Sequence, residues 1–380
     1  MNFARTSGWL LVCSFWLGCS ACGGASAPAP TPGPVVHAGG GAGSAGAGYD
    51  VHEWGLVRAT AGDILSIGAI APPVAVEAMA VDKPVLYFHT DSPLHLVSVS
   101  VDAGEGAIVE AWPVSPRTNI ASQLEWRDVS IDPDGACATS PLPAVTDVAC
   151  TSLPPGDLCE TASLATVRVP GAPCVRVAGG TDSLLFYRAR SRSFTPPLRF
   201  QRSQVYERIE VTNEADAVIP GWLVRIQSAM GRVRALAVRP PGPRATVVVG
   251  ADFAADQGSS DQPPSTDSPA GPSNVERGRR AVRDTMREIG MSAEEIDAFF
   301  RAWDQTLFGL APAAQDRTTP AGAVDELSVD GLPAPRDTFL YFLPSADCDR
   351  VARLSFDPPP RSVHRAIAVW SVVRAAGPSH

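Results

Sequence analysis

The sequence predicts a mainly β fold, with β-sandwich-like antiparallel sheets and an inserted two-helix segment; an α+β arrangement is the alternative. Three observations predict it. Runs of β-branched and aromatic residues recur along most of the chain, broken by short turns rich in glycine, proline and aspartate. Helical periodicity is confined to one stretch near residue 290. After that stretch the chain returns to strand-like patterns, the last of them apolar on both sides.

The first 22 residues read as a lipoprotein-type signal and stand outside the fold. Arg5 supplies the positive start, and Trp9 to Leu17 form an apolar run that is short of the roughly 20 residues a bilayer needs. In "WLGCSACGG" a small residue precedes cysteine, as in a lipobox, so Cys19 is the predicted lipid acceptor and Cys22 the alternative. An ordinary secretory cut after Ala25-Ser26-Ala27 is the competing reading. Residues 23–48 are mostly alanine, glycine and proline with no apolar period, and read as a tether. Together these predict export and a lipid anchor in a bacterial cell envelope, most plainly the outer membrane.

Residues 49–254 form the predicted β-rich domain. "YDVHEWGLVR" opens it as a strand. "KPVLYFHT" enters the next through proline, and "LHLVSVSVD" alternates, with Val97, Val99 and Val101 assigned to one face. "GAIVEAW" and "LEWRDVSI" follow after short turns, as antiparallel neighbours. Between residues 132 and 182 regularity is lost, and four of the eight cysteines gather there. In an exported protein such a set reads as two disulfides, and the least chain closure pairs Cys137 with Cys150 and Cys159 with Cys174. Zinc would need closer cysteine spacing or a histidine, and the region has neither. Cys348 is left unpaired.

Strands resume with "LLFYRAR" and "PLRF"; "VYERIEVTN" and "AVIPGWLVRI" read as a hairpin, and "GRVRALAV" and "ATVVVG" continue the pattern. Residues 255–273 are polar and rich in proline, glycine and serine, a linker. The helical pair spans 274–310. Asn274 caps the first helix and Gly290 ends it; Ser292 and Glu295 make a capping box for the second, whose stripe is Ile296, Phe299, Phe300, Trp303 and Leu307. Residues 311–380 return strands to the β core: "TFLYFLP", "VARLSFDPPP" and "RSVHRAIAVWSVV".

"HEWG", "KPVLYFHT", "AIVEAWP", "LLFYRA", "GMSAEEIDAFFRAWDQTLF" and "FLYFLP...CDRVARLSFDPPP" come in an order that resembles an uncharacterised family of exported bacterial proteins. The resemblance spans most of the chain from Val51 onward; Leu56 stands where threonine is usual and His89 where an aromatic is usual. It implies the architecture and brings no activity with it.

A formal net charge of −9 lacks the basic footprint that nucleic acid requires, and Lys83 is the only lysine. The candidate catalytic residues are His52, Glu53 and His89. In a strand His52 and Glu53 point to opposite faces, so metal or acid–base work at His52 needs help from His89, His95 or His364. His89 and His95 bracket a predicted hairpin turn. The bland alternative has Trp54 in the core, His52 on a backbone group and Glu53 paired with an arginine. No G-x-S-x-G elbow or phosphate-cradling loop occurs. The sequence therefore predicts an envelope lipoprotein that binds or builds, its partners a membrane and an envelope protein or glycan, with no cofactor and no metal. The rival reading is a hydrolase or metal-dependent enzyme near His52 and Glu53.

Overall fold

The computed structural model describes residues 47–61, 79–115, 120–134, 137–151, 153, 159–191, 194–202, 208–229, 232–250, 274–309 and 336–373. The signal, Cys19, Cys22, all but the last two tether residues and the 255–273 linker lie outside them.

In chain order the strands are β1 (Ala47–Ala61), β2 (Met79–Thr90), β3 (Leu94–Asp102), β4 (Ala107–Trp112), β5 (Gln123–Asp132), β6 (Cys174–Val177), β7 (Gly180–Asp182) and β8 (Leu185–Ser191). They continue as β9 (Leu198–Arg202), β10 (Ile209–Asn213), β11 (Leu223–Ala229), β12 (Arg232–Val238), β13 (Thr246–Val249), β14 (Arg336–Phe342), β15 (Arg353–Asp357) and β16 (Pro360–Val373). The helices are α1 (Val148–Thr151), α2 (Asn274–Ile289), α3 (Ala293–Phe308) and α4 (Ser345–Val351), with a 3-10 turn at Thr161–Val167. The fold is mainly β, as predicted.

One large sheet, ordered β12-β11-β14-β16-β1-β2-β8-β4, separates two cores. Strand alternation divides its side chains cleanly. Tyr49, Val51, Val57, Leu86, Phe88, Leu185, Tyr187, Phe339, Tyr341, Ile367 and Val369 pack against residues of a five-stranded sheet (β15-β3-β5-β6-β7) and a three-stranded one (β13-β10-β9). Trp54, Leu56, Val85, Tyr87, Phe186, Leu340, Phe342, Ala366 and Ala368 face the other way, onto Val282 and Met286 of α2 and Ile296, Phe299, Phe300 and Trp303 of α3. The helical stripe read from sequence is thus covered by the sheet.

β1 and β16 lie side by side at the centre, in parallel. The last strand is apolar on both faces because it has a core on each side. β14 and β16 belong to the same sheet as β1, so the chain re-enters its first core after the helices.

Four details correct the sequence reading. β10 pairs with β9 and β13, while β11 pairs with β12 and β14, so the expected hairpin is a crossing between two sheets. Val97 is 57% exposed while Leu96, Val99 and Val101 are buried. The inward register flips between Leu96 and Val99, where the facing strand carries Asp128 at a positive φ of 53°. The 132–182 excursion holds structure of its own: β6 and β7 extend the five-stranded sheet, and the 3-10 turn joins the helix-side core through Leu164 and Val167.

The fourth correction is the disulfide scheme, which is Cys137–Cys174 and Cys150–Cys159. Pairing of β6 with β5 sets Cys174 opposite Asp132, just upstream of Cys137, so sheet register overrides the preference for short closure. Each bridge contributes on the order of 3 kcal/mol. Peptide mapping without reduction is expected to recover these two linkages; a Cys137–Cys150 peptide would contradict the register. Cys348 is free and buried, and burial pushes its thiol up to about 12. The two bridges are compatible with an exported protein. Among the described residues no helix is long and apolar enough to cross a membrane.

Candidate functional site

The alternation of β1 puts Asp50, His52 and Trp54 on the helix side of the large sheet. Its parallel neighbour matches Asp50 with Ser362, His52 with His364 and Trp54 with Ala366. Its antiparallel neighbour β2 matches Asp50 with His89 and His52 with Tyr87. Three histidines therefore collect at one end of the central strands. The rings of His52 and His89 are 4.0 Å apart between centroids, and His364 meets His52 edge-on at 5.1 Å.

The turn between α2 and α3 closes over them. Ser292 caps α3 with both hydrogen bonds of a capping box, the Glu295 amide donating to Ser292 Oγ and the Ser292 amide donating to Glu295 Oε2. The Glu295 carboxylate does more than cap. Its Oε2 lies 2.8 Å from His52 Nδ1 and its Oε1 lies 2.8 Å from His89 Nε2. Burial opposes its ionisation, but the hydrogen bonds from His52 and His89 outweigh burial and bring its carboxyl down to about 2. The Glu295 side chain is 1% exposed, His52 12% and His89 38%, so the cluster opens to solvent at His89.

A second set of contacts holds the frame. His364 Nδ1 lies 2.8 Å from the Ile289 carbonyl at the end of α2, and its Nε2 lies 3.0 Å from Ser362 Oγ. Ser362 donates to Asp50, which also binds Arg361, and the Arg361 hydrogen bond holds the Asp50 carboxyl below its ordinary range. Gly290 makes the approach possible. Its φ is +109°, and a Cβ there would stand 2.5 Å from His364 Nδ1.

Glu53 is elsewhere. It points into the opposite core with no exposure, accepting from Tyr187 Oη at 2.7 Å and from Arg365 Nε. The structure brings His52 and His89 together and leaves Glu53 out. His95 does not face His89, because the turn between them carries the chain from the large sheet to the five-stranded one. It is exposed beside Ser130. The arginine partner expected for Glu53 is present, while His52 binds a carboxylate where a backbone group was expected.

Sequence reasoning missed Glu295 as a site residue, since its capping role explained it fully. A ring nitrogen of His52, a ring nitrogen of His89 and a Glu295 oxygen lie within 4.8 Å of one another, a set able to bind a cation or to share protons with a polar ligand. Comparison with protein families, with curated proteins and with solved structures returns no match to the chain.

Proposed function

We propose that this chain is an exported cell-envelope lipoprotein whose folded domain is a binding module, with its ligand site at His52, His89 and Glu295. One observation carries the reading. Two imidazoles and a buried carboxylate, brought from β1, β2 and α3, converge at a point open to solvent through His89. Polar groups held this way by a packed fold are a common basis for recognition. The small residue before Cys19, the apolar run upstream and the tether downstream support the anchor. Glu53, buried on the other face of β1 against Tyr187 and Arg365, takes no part in this site.

Two measurements test it. Cys19→Ala is expected to move the protein from the membrane to the soluble fraction and to abolish lipid labelling, or to block processing; an unmodified N-terminus beyond Cys22 in the intact mass would rule the anchor out. A strain lacking the protein is expected to show an envelope defect that wild type complements and that His89→Ala, exported and folded normally, does not. Equal complementation by both would overturn the binding site.

A further inference from the structure

We infer that His52, His89 and Glu295 form a three-ligand site for a divalent first-row transition ion, with zinc as its redox-inert occupant. This rests on reading the cluster as a binding site and names what it binds.

The donor set selects the metal. Two imidazole nitrogens and one carboxylate suit zinc, iron, cobalt, nickel or copper in the divalent state, whereas magnesium and calcium favour all-oxygen shells and copper(I) favours sulfur. The spacing is within reach of one ion. A zinc ion about 2.0–2.2 Å from each ligand holds those ligands roughly 3 Å apart. One ligand atom from each of the three residues lies within 4.8 Å of the others, and the two imidazole nitrogens stand 2.8 Å from separate oxygens of the carboxylate, so the ligands close by about an ångström on a shared ion. Binding needs each ring to present that nitrogen without its proton, which either moves to the far nitrogen or leaves to solvent.

The surroundings are built like an outer shell. The Ser292 amide donates to Glu295 Oε2 and fixes the carboxylate, as hydrogen-bonded ligands in metal sites usually require. His364 spends its two nitrogens on Ile289 and Ser362 and packs edge-on against His52, so it positions that ring. Three protein ligands leave at least one coordination position for water or for an outside donor, the arrangement of an open site. The partial exposure of His89 gives that position its route to solvent.

The test uses the purified full-length protein, stripped with chelator and titrated with zinc chloride against a chromophoric competitor, and with cobalt chloride followed by visible absorption. One equivalent of each ion is expected, with cobalt bands of nitrogen and oxygen ligation. His52→Ala and His89→Ala are each expected to weaken zinc binding by more than about 100-fold, beyond the 10–100-fold typical of losing an outer-shell partner. His95→Ala, an exposed histidine on another sheet, is expected to bind as wild type. Glu295→Gln is compared only where its circular dichroism matches wild type; His89→Ala, being partly exposed, keeps the test decisive otherwise. Absence of stoichiometric zinc or cobalt in the wild type, or equal loss in His89→Ala and His95→Ala, overturns the inference. Zinc failure with retained His89-dependent complementation would leave a binding site for another ligand. Loss of both would remove the site altogether.

Discussion

Trp54→Ala is expected to lower the free energy of unfolding by about 3–5 kcal/mol, the range for truncating a large buried aromatic. Trp54 has no solvent exposure. Its ring meets Phe299 of α3 edge-on with centroids 5.6 Å apart and lies 6.4 Å from Tyr87 of β2. It therefore fills the seam between the large sheet and the helical layer. The site cannot collapse cheaply, because β1 is hydrogen-bonded on both sides and its backbone cannot move inward alone. Gly55 tightens this further, its missing Cβ standing 3.1 Å from Pro84 Cα. Urea unfolding followed by circular dichroism measures the loss, and an unchanged m-value would place it in stability. A cost under about 1 kcal/mol would mean that the seam repacks, contrary to the range for buried aromatics.

The same strand shows how far a sequence can be read. The period of two in β1 was enough to send Trp54 to one core and to separate His52 from Glu53, because side-chain direction in a strand is a local property. The Ser292–Glu295 capping box is equally local, and both of its hydrogen bonds form. What alternation cannot reveal is which strands become neighbours. His364 flanks His52 only because the first and last strands pair in parallel, in a register that nothing near either residue encodes. The disulfides depart from the shortest-closure pairing for the same reason: closure entropy follows from spacing, whereas the β5–β6 register that carries Cys174 to Cys137 does not. Glu295 was hidden differently. A capping glutamate is usually solvated, and its second role required knowing that the helix start lands on two histidines.

Glu53→Gln is expected to cost about 3–5 kcal/mol, the range for removing one partner of a buried ion pair. A pairing at the surface would cost under about 1 kcal/mol. The carboxylate is sealed between β1, β8 and β16 and accepts from Tyr187 and Arg365. Burial pushes the Tyr187 hydroxyl well above its ordinary range, with the Glu53 charge adding to the effect, so the phenol stays a donor. Burial also opposes the Arg365 charge, but Glu53 and the neighbouring groups more than offset it. Glutamine preserves the shape and removes the charge, leaving a guanidinium in the core with Asp349 and the Ala352 carbonyl as its other partners. Of these two only Asp349 carries charge, and it faces solvent at 59% exposure, while the Ala352 carbonyl contact is buried. The double variant Glu53→Gln with Arg365→Met removes the stranded charge, and is expected to recover most of the loss, giving a coupling energy that a mutant cycle reads directly. Additive losses would mean that the two side chains do not stabilise each other. A Glu53 engaged in chemistry would behave the other way, with Glu53→Gln folding as stably as wild type and losing the envelope function that His89→Ala is expected to lose.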